Sequence, residues 1–275
     1  MATSAQLVVA SFNVHAGVDG WGRPFDVLES CRSLDADVLV LQESWSPNEG
    51  ESMAAHIAEA LGYRVDASAL ARGRRAKPDP RATRRWMPSF DWRTNAHAIY
   101  LDSERPLRHH FSQSEQFLEG EAGSWDVALL SRLPSLRREK IELGRLARDQ
   151  ARRVALVHWF EVGGREVAVV GTHMAHLTHG SPAHYVRLAR SLRATLGDTP
   201  SVLAGDMNLW GPPASAFLKG WKRAVKGRTW PGWRPHSQVD HIFVRDLRVV
   251  SGRVLGYCGS DHRPVSATLT LDSGT

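Results

Sequence analysis

The chain has 275 residues, of which 42% are hydrophobic and 23% charged, with a formal net charge of +6 and an isoelectric point near 9.7. This length is enough for one large domain with an ample core. No apolar run approaches the roughly 20 residues of a membrane-spanning helix, and the first residues show no secretory signal pattern. The two cysteines, Cys31 and Cys258, exclude a disulfide framework and favour a reduced, cytoplasmic setting. The modest basic excess favours phosphate-bearing partners such as nucleic acid or anionic lipid.

In the first third of the chain, segments with the apolar pattern of strands alternate with segments that have the apolar spacing of helices. It predicts in order a strand, a helix, a strand, a helix and a strand, at residues 7–13, 24–33, 37–43, 50–61 and 63–67. Pro24 suits the first turn of a helix, and Gly62 suits the position that ends one. Both early strands finish in polar residues, which places polar groups at strand ends.

Residues 71–92 lose all periodicity and predict a loop. The segment is crowded with basic side chains and prolines: Arg72, Arg74, Arg75, Lys77, Arg81, Arg84, Arg85, Pro78, Pro80 and Pro88. It is the strongest basic patch of the chain. Two interpretations stay open, a solvated charged loop or a surface that grips substrate phosphate.

Strand patterns dominate the rest of the chain. They predict strands at residues 96–101, 127–131, 153–162, 166–172, 202–204, 239–244, 248–255 and 264–271. The Gly163-Gly164 turn predicts antiparallel pairing of its flanking strands. Ser181 followed by Pro182 predicts a capped helix over 181–196. With no linker and no repeat, we expect one mixed α/β domain with two sheets over residues 1–275, its core at about 7–271.

Polar side chains recur where the predicted strands end. They are Asn13, Glu43, His173, Asp206, Asn208, Asp240, Asp261 and His262. Taken alone, Gly205-Asp206-Met207-Asn208 is good turn chemistry. Buried charges are costly unless they are paired or bound to metal, so repeated polar strand ends predict a shared site.

Oxygen donors within this set predict a divalent cation. Glu43, Asp261 and the amide of Asn13 are hard ligands, which suit Mg²⁺ or Mn²⁺ better than zinc. A bound cation would act as a Lewis acid on phosphate.

The remaining groups predict hydrolysis. His262 is suited to take a proton from water if Asp240 fixes its ring. Asp206 would position that water and Asn208 would bond a phosphoryl oxygen. His173 would stabilise developing charge or assist the leaving group. Together these roles describe a hydrolase of phosphate esters.

Six short motifs carry a family resemblance. They are Ser-Phe-Asn13-Val, Leu-Gln42-Glu43-Ser, Gly-Thr172-His173-Met, Gly205-Asp206-Met-Asn208, Val-Asp240-His-Ile and Gly-Ser260-Asp261-His262-Arg-Pro. In order and spacing, from about residue 7 to 271, the chain resembles the endonuclease/exonuclease/phosphatase superfamily. The resemblance implies a four-layer α/β/β/α sandwich with two mostly antiparallel sheets and metal-dependent phosphoester hydrolysis. It also implies that Glu43 binds metal and that His262, paired with Asp240, is the catalytic histidine.

Three positions refine the resemblance. His15 stands where abasic-site endonucleases carry an acidic residue, which argues against a dedicated repair enzyme. His173 instead fits members similar to deoxyribonuclease I and the sphingomyelinases. Trp125-Asp126-Val127-Ala128 lacks the asparagine that often precedes the family's Ser-Arg/Lys-x-Pro run, here at residues 131–134, so a phosphate contact there is not expected.

Several alternatives stay open. His173, His176, His179 and His184 have a spacing that zinc sites also use, whereas His241 should face away from Asp240 as a structural residue. Tryptophans near the expected site either stack on a base or lipid head group or anchor loops: Trp21, Trp45, Trp210, Trp230 and Trp233. The substrate is a phosphodiester such as nucleic acid, a phospholipid or a small phosphometabolite. A non-catalytic binding protein is the remaining alternative.

Overall fold

The fold consists of two stacked β-sheets flanked by helices. The computed structural model describes residues 5–75, 77–83, 98–100, 121–147, 149 and 151–271. The first sheet has seven strands in the order β12-β13-β1-β2-β5-β3-β4. They are β1 Gln6–Asn13, β2 Val38–Pro47, β3 Arg64–Arg75, β4 Ala98–Tyr100, β5 Glu121–Ser131, β12 Arg248–Val254 and β13 Val265–Thr270. Among these seven described strands, only β1 and β2 pair in parallel.

The second sheet has six strands in the order β10-β11-β9-β8-β7-β6. They are β6 Arg137–Gly144, β7 Arg153–Val162, β8 Arg165–His173, β9 Ser201–Asp206, β10 Lys222–Arg223 and β11 Asp240–Arg245. Only β8 and β9 pair in parallel. The hairpin predicted at Gly163-Gly164 is confirmed, since Val162 pairs with Arg165 across the turn.

Four α-helices cover the outer faces of the sheets in the described part of the chain. They are α1 Val27–Arg32, α2 Met53–Leu61, α3 Ser181–Leu196 and α4 Gly211–Phe217. Short 3₁₀ turns also occur at His15–Gly17 and Leu177–His179. None of the helices is long and apolar enough to cross a bilayer.

Alternating side chains of each strand build three apolar layers. Val38 and Val40 point into the core between the sheets, while Leu39 and Leu41 point outward to α1 and α2. On the other side, outward residues of the second sheet pack on the apolar face of α3, including Leu188. Period-two alternation in a strand produces two buried faces when both faces are covered. The expected four-layer α/β/β/α sandwich is therefore confirmed.

Several predicted boundaries were wrong. The first helix begins at Val27 instead of residue 24, because Asp26 accepts a hydrogen bond from the Glu29 amide and caps it. Ser181 is the first helical residue and does not cap α3; Gly180 occupies the cap position without a side-chain bond.

The predicted loop at 71–92 was wrong over its first five residues. Arg72, Arg74 and Arg75 belong to β3, which pairs with β5 and β4. A strand near a sheet edge keeps polar side chains on an exposed face, so its sequence lacks an apolar signal. Residues 77–83 have no regular structure, while residues 84–92, with Arg84, Arg85 and Pro88, lie outside the described residues.

Candidate active site

The six predicted strand ends meet at one edge of the sandwich. β1 and β2 pair in parallel up to Asn13 and Gln42; Glu43 follows at an irregularity within β2, which continues to Pro47 and does not end at residue 43 as predicted. β8 and β9 run parallel and end at His173 and Asp206. β11 runs antiparallel to β9 and begins at Asp240, beside Asp206. β13 runs antiparallel to β1, so the loop before it, with residues 261 and 262, lies at the same edge.

Asp206 lies at the centre of the cluster. Its Oδ2 accepts a hydrogen bond from Asn13 Nδ2 at 3.1 Å, which joins the two sheets. The same oxygen lies 3.6 Å from His173 Nε2 and 3.8 Å from His262 Nε2. Burial raises the pKa of Asp206 to about 7, although the charge of His262 acts in the opposite sense. A buried carboxylate between two imidazoles is suited to bind and orient water.

Gly205 allows the strand end to approach its neighbour closely. A Cβ at this position would lie 2.0 Å from the carbonyl oxygen of Thr172 in β8. Only glycine avoids that collision. The glycine of the Gly205-Asp206-Met207-Asn208 motif therefore serves the packing of β8 on β9, while the two polar residues of the motif face the cluster.

Backbone strain places two of the side chains. Glu43 has φ +54° and Asn208 has φ +48°, a region that costs residues with a Cβ about 1 kcal/mol or more. Glu43 lies where the pairing of β2 with β5 shifts register between Leu41 and Ser44. Asp206 Oδ1 accepts the amide of Asn208 at 2.9 Å, which forms the turn after β9. Strained non-glycine residues concentrate at functional sites.

His262 and Asp240 form a buried pair. His262 Nδ1 lies 2.9 Å from Asp240 Oδ2, and the Thr229 hydroxyl accepts the Asp240 amide at 3.3 Å. Burial by itself lowers the pKa of His262, but the carboxylates of Asp240, Asp261 and Asp206 raise it well above its ordinary value. Because Asp240 holds Nδ1, Nε2 faces Asp206.

His173 is the neutral partner on the other side of Asp206. Burial, Arg153 and His262 lower its pKa well below the ordinary value. Asn208 Nδ2 lies 3.3 Å from His173 Nε2 and donates to the Met174 carbonyl at 3.0 Å. These contacts fix the ring and the amide side by side.

The predicted metal ligands surround the same centre. Glu43 Oε1 accepts from Asn13 Nδ2 at 3.2 Å and lies 4.0 Å from His173 Nε2. Asp261 Oδ1 lies 4.0 Å from His262 Nε2. The oxygen of Asn13 accepts the His15 amide at 3.0 Å, so Asn13 presents its NH₂ group to Glu43 and Asp206. Ligation through that oxygen requires the amide to rotate.

A second donor set overlaps the first. Asp206, Asp240 and His262 each offer a ligand atom within 4.8 Å of one another, and Asp240 Oδ1 is buried without a hydrogen-bond partner. However, His262 Nδ1 is engaged by Asp240, and all three side chains are at most 8% exposed. The side chain of Glu43 is 27% exposed, which leaves access for substrate.

Two residues that sequence patterns did not single out as site residues contact Asp261. Trp230 Nε1 donates to Asp261 Oδ2 at 3.3 Å, and His15 Nδ1 lies 3.5 Å from Asp261 Oδ1. The proximity of His15 to Asn13 in sequence was the available signal. The sequence places Trp230 on a loop near the expected site, as a stacking or anchoring residue, but its hydrogen bond to Asp261 depends on the path of residues 229–238.

Of the other described tryptophans, some pack against neighbouring side chains and one is exposed. Trp45 is 1% exposed and packs in the core, whereas Trp210, two residues after Asn208, is 54% exposed. Trp21 and Trp233 pack together with ring centroids 4.8 Å apart.

The remaining histidines have structural surroundings. His241 is buried and bonds the Leu209 carbonyl through Nε2 at 2.9 Å. His179 Nδ1 lies 3.9 Å from Asp149, whose carboxylate is paired with Arg153. His184 is fully buried, and burial lowers its pKa to about 4. In the described residues, no three of these histidines and their neighbours converge within metal-ligand distance.

Comparisons with known proteins agree with this geometry. The profile described as Endonuclease/Exonuclease/phosphatase family matches residues 10–262. An endonuclease/exonuclease/phosphatase from Beutenbergia cavernae DSM 12333 is 20% identical with a TM-score of 0.61, over 97% of this chain and 72% of that one. A family protein from Leptotrichia buccalis C-1013-b is 14% identical with a TM-score of 0.65, over 96% and 100%.

The catalytic domain of human nocturnin, solved with a bound sulfate anion, is 16% identical with a TM-score of 0.62, over 98% of this chain and 96% of that one. No curated protein sequence matches the chain. At these identities the solved structures show a shared fold.

Proposed function

The chain belongs to the endonuclease/exonuclease/phosphatase family, and we propose that it is a divalent-metal-dependent hydrolase of phosphate esters, acting on phosphodiesters such as nucleic acid. One observation carries the proposal. Asp206 Oδ2 lies within 4 Å of both His173 and His262, while Asp240 holds the far side of the His262 ring. This arrangement supplies a water-binding carboxylate, a histidine suited to take a proton and a neutral imidazole in one place.

The donor set fits a hard divalent cation. Glu43, Asp261 and the amide oxygen of Asn13 are the groups that would hold Mg²⁺ or Mn²⁺. When bound, the cation supplies positive charge that polarises a phosphoryl oxygen and offsets the carboxylates surrounding His262.

The protein's own residues then divide the work. Asp206 binds and orients the attacking water between itself and His262. As the water oxygen bonds to phosphorus, its proton moves to His262 Nε2, and the bond to the leaving oxygen breaks. Asp240 keeps Nδ1 hydrogen-bonded and so fixes the ring tautomer. His173 and Asn208 lie side by side and are the groups that contact the remaining phosphoryl oxygens.

A metal and substrate panel tests this function. The purified chain, after EDTA treatment, should hydrolyse bis(4-nitrophenyl) phosphate only when Mg²⁺ or Mn²⁺ is returned. Asp206→Asn and His262→Gln should lower kcat by a factor on the order of 10³ or more. Asp35→Asn and His56→Gln are matched controls at exposed side chains and should leave kcat unchanged.

Two outcomes oppose the proposal. Unchanged turnover in both site variants would refute the assigned roles. Rescue by Zn²⁺ alone would favour a histidine-bound zinc. Plasmid DNA, RNA, sphingomyelin and inositol phosphates should then be compared, since hydrolysis of nucleic acid is expected and preference for a lipid or a phosphometabolite would assign the alternative substrate. Binding of these compounds without turnover would indicate a non-catalytic binding protein. The cytoplasmic setting stays a prediction, consistent with two free thiols.

A further inference from the structure

A serine, a histidine and an aspartate form a hydrogen-bonded chain away from the candidate active site. Ser135 Oγ lies 2.9 Å from His158 Nδ1, and His158 Nε2 lies 2.8 Å from Asp66 Oδ2. The three residues come from three places: the turn between β5 and β6, the middle of β7, and the start of β3. The fold therefore brings these three side chains together from elements of both sheets.

The hydrogen-bonded group of Ser135, His158 and Asp66 is separate from the candidate phosphoester site. His158 pairs with Val169 in β8, four residues before His173, which is roughly 13 Å along the strand. Asp66 pairs with Leu129 on the side of β5 that faces away from β2, whereas Leu41 and Ser44, which flank Glu43 in β2, pair with the opposite side of β5. The cluster lies at the lateral edge of the sandwich, where β3 faces β7 and the edge strand β6.

The charge of Asp66 bears on where the protons lie in the Ser135–His158–Asp66 group. The hydrogen bond from His158 lowers the pKa of Asp66, assisted by the positive charges of Arg138 and Lys140. An ionised Asp66 is an acceptor for His158 Nε2–H, and in that tautomer of the imidazole Nδ1 is the acceptor for the Ser135 hydroxyl. This is the relay of serine hydrolases with the two ring nitrogens exchanged.

The three side chains differ in how far they are exposed to solvent. The side chain of His158 is 3% exposed and that of Asp66 is 31% exposed. Ser135 is half-buried, and Leu136, the next residue in sequence, is 55% exposed. Arg138 lies opposite His158 across the β6–β7 pair, and its positive charge favours the ionised form of Asp66.

We propose that Ser135 is a nucleophilic serine that accepts acyl groups from small activated esters, with His158 as its general base and Asp66 as the carboxylate that positions the ring. Ser135 Oγ bonds to the ester carbonyl carbon while its proton moves to His158 Nδ1. The bond from that carbon to the leaving oxygen breaks, and the proton passes to the leaving alkoxide or phenolate. Water then attacks the acyl-serine by the same route, releases the acid and restores Ser135.

Covalent labelling of the full chain tests the site without the metal-dependent reaction. EDTA-treated protein is exposed to a fluorophosphonate probe and to 4-nitrophenyl acetate, and the modified residue is located by peptide mass spectrometry. We expect the label on Ser135. Ser135→Ala should abolish it, and His158→Gln, which keeps the donor to Asp66 but removes the base, should slow labelling by at least about a hundredfold.

Matched variants separate reactivity from structure. Ser33→Ala removes an exposed hydroxyl that bonds only a backbone carbonyl and should label at the parental rate. Asp66→Asn should slow labelling and Asp66→Glu should restore part of it, with circular dichroism confirming folded protein. Absence of label on Ser135 in the folded parent would overturn the proposal, as would an unchanged rate in His158→Gln. A lowered Tm of Ser135→Ala together with an unlabelled parent would assign the chain of bonds a purely structural role.

Discussion

Asp206 and Asp240 lie directly opposite each other in the antiparallel strands β9 and β11. Their carboxylates are both about 1% exposed, so like charges face a common buried space. Mutual repulsion of this kind favours the protonated form of one partner, and Asp240 accordingly contributes to the raised pKa of Asp206. His262 lies against both carboxylates and compensates part of that repulsion. The pairing of two strands therefore creates the electrostatics of the site.

Replacement of Asp240 by asparagine should separate positioning from proton transfer. In Asp240→Asn the amide can donate its NH₂ to His262 Nδ1. The neutral ring then carries its proton on Nε2, and this tautomer cannot accept a proton from water. We expect kcat to fall by a factor on the order of 10³ to 10⁴ while KM changes little. Steady-state kinetics with a chromogenic phosphodiester and Mn²⁺ measures both. A parental kcat in folded Asp240→Asn would remove this pair from the mechanism.

Trp230 should affect metal binding through Asp261. Trp230→Phe keeps an aromatic ring, although a smaller one, but removes the indole N–H that donates to Asp261 Oδ2 at 3.3 Å. Loss of such an outer hydrogen bond commonly weakens metal binding about tenfold to a hundredfold. The increase in Tm on titration with Mn²⁺ measures affinity without any turnover.

Trp210→Phe is the matched control for Trp230→Phe, because Trp210 is 54% exposed. It should leave the Mn²⁺ titration unchanged. If both variants bind Mn²⁺ as tightly as the parent, the hydrogen bond from Trp230 has no influence on Asp261 as a ligand.

The strand ends of this site can be predicted from sequence, but its supporting contacts cannot. Asp206 is the last residue of a fully buried strand, and the apolar run that precedes it marks where that strand ends. By contrast β6 is an edge strand with exposed charged residues, and its only alternating apolar residues, Ile141 and Leu143, make too short a run to predict it. The contacts of His15 and Trp230 depend on loop paths, which local sequence does not encode. The site was therefore predictable where it rests on strands and unpredictable where it rests on loops.

The basic surface should determine the salt dependence of nucleic-acid binding. Arg72 is exposed on β3, and Lys77 and Arg81 lie in the adjoining exposed segment, which the Asp79 amide ties to the Gly22 carbonyl at 3.1 Å. Arg75 is excluded from this group because it is paired with Glu121. Changing the three exposed cations to glutamine should reduce the slope of log K against log salt by about 0.9 for each phosphate that the protein no longer neutralises.

Fluorescence anisotropy of a labelled double-stranded oligonucleotide, measured with Ca²⁺ to limit turnover, gives that slope. The control removes three exposed cations elsewhere, Arg190, Arg193 and Lys219, at the same change in net charge. We expect the control slope to stay near the parental value. Equal slopes for the two triple variants would show that net charge alone governs binding, and would assign the segment at 72–81 to the solvated surface.

His241 should make the fold sensitive to mild acid. Burial lowers the pKa of His241 to about 4 in the folded chain, whereas an unfolded histidine titrates near 6.5. The unfolded state therefore binds the proton first, and the free energy of unfolding falls as pH drops from about 6.5 towards 4. His241→Gln keeps a donor for the Leu209 carbonyl but cannot titrate, so its urea-unfolding free energy should depend less on pH in that window. His56→Gln, at an exposed histidine, should keep the parental dependence; an unchanged slope in His241→Gln would mean that other buried histidines, such as His184, control acid stability.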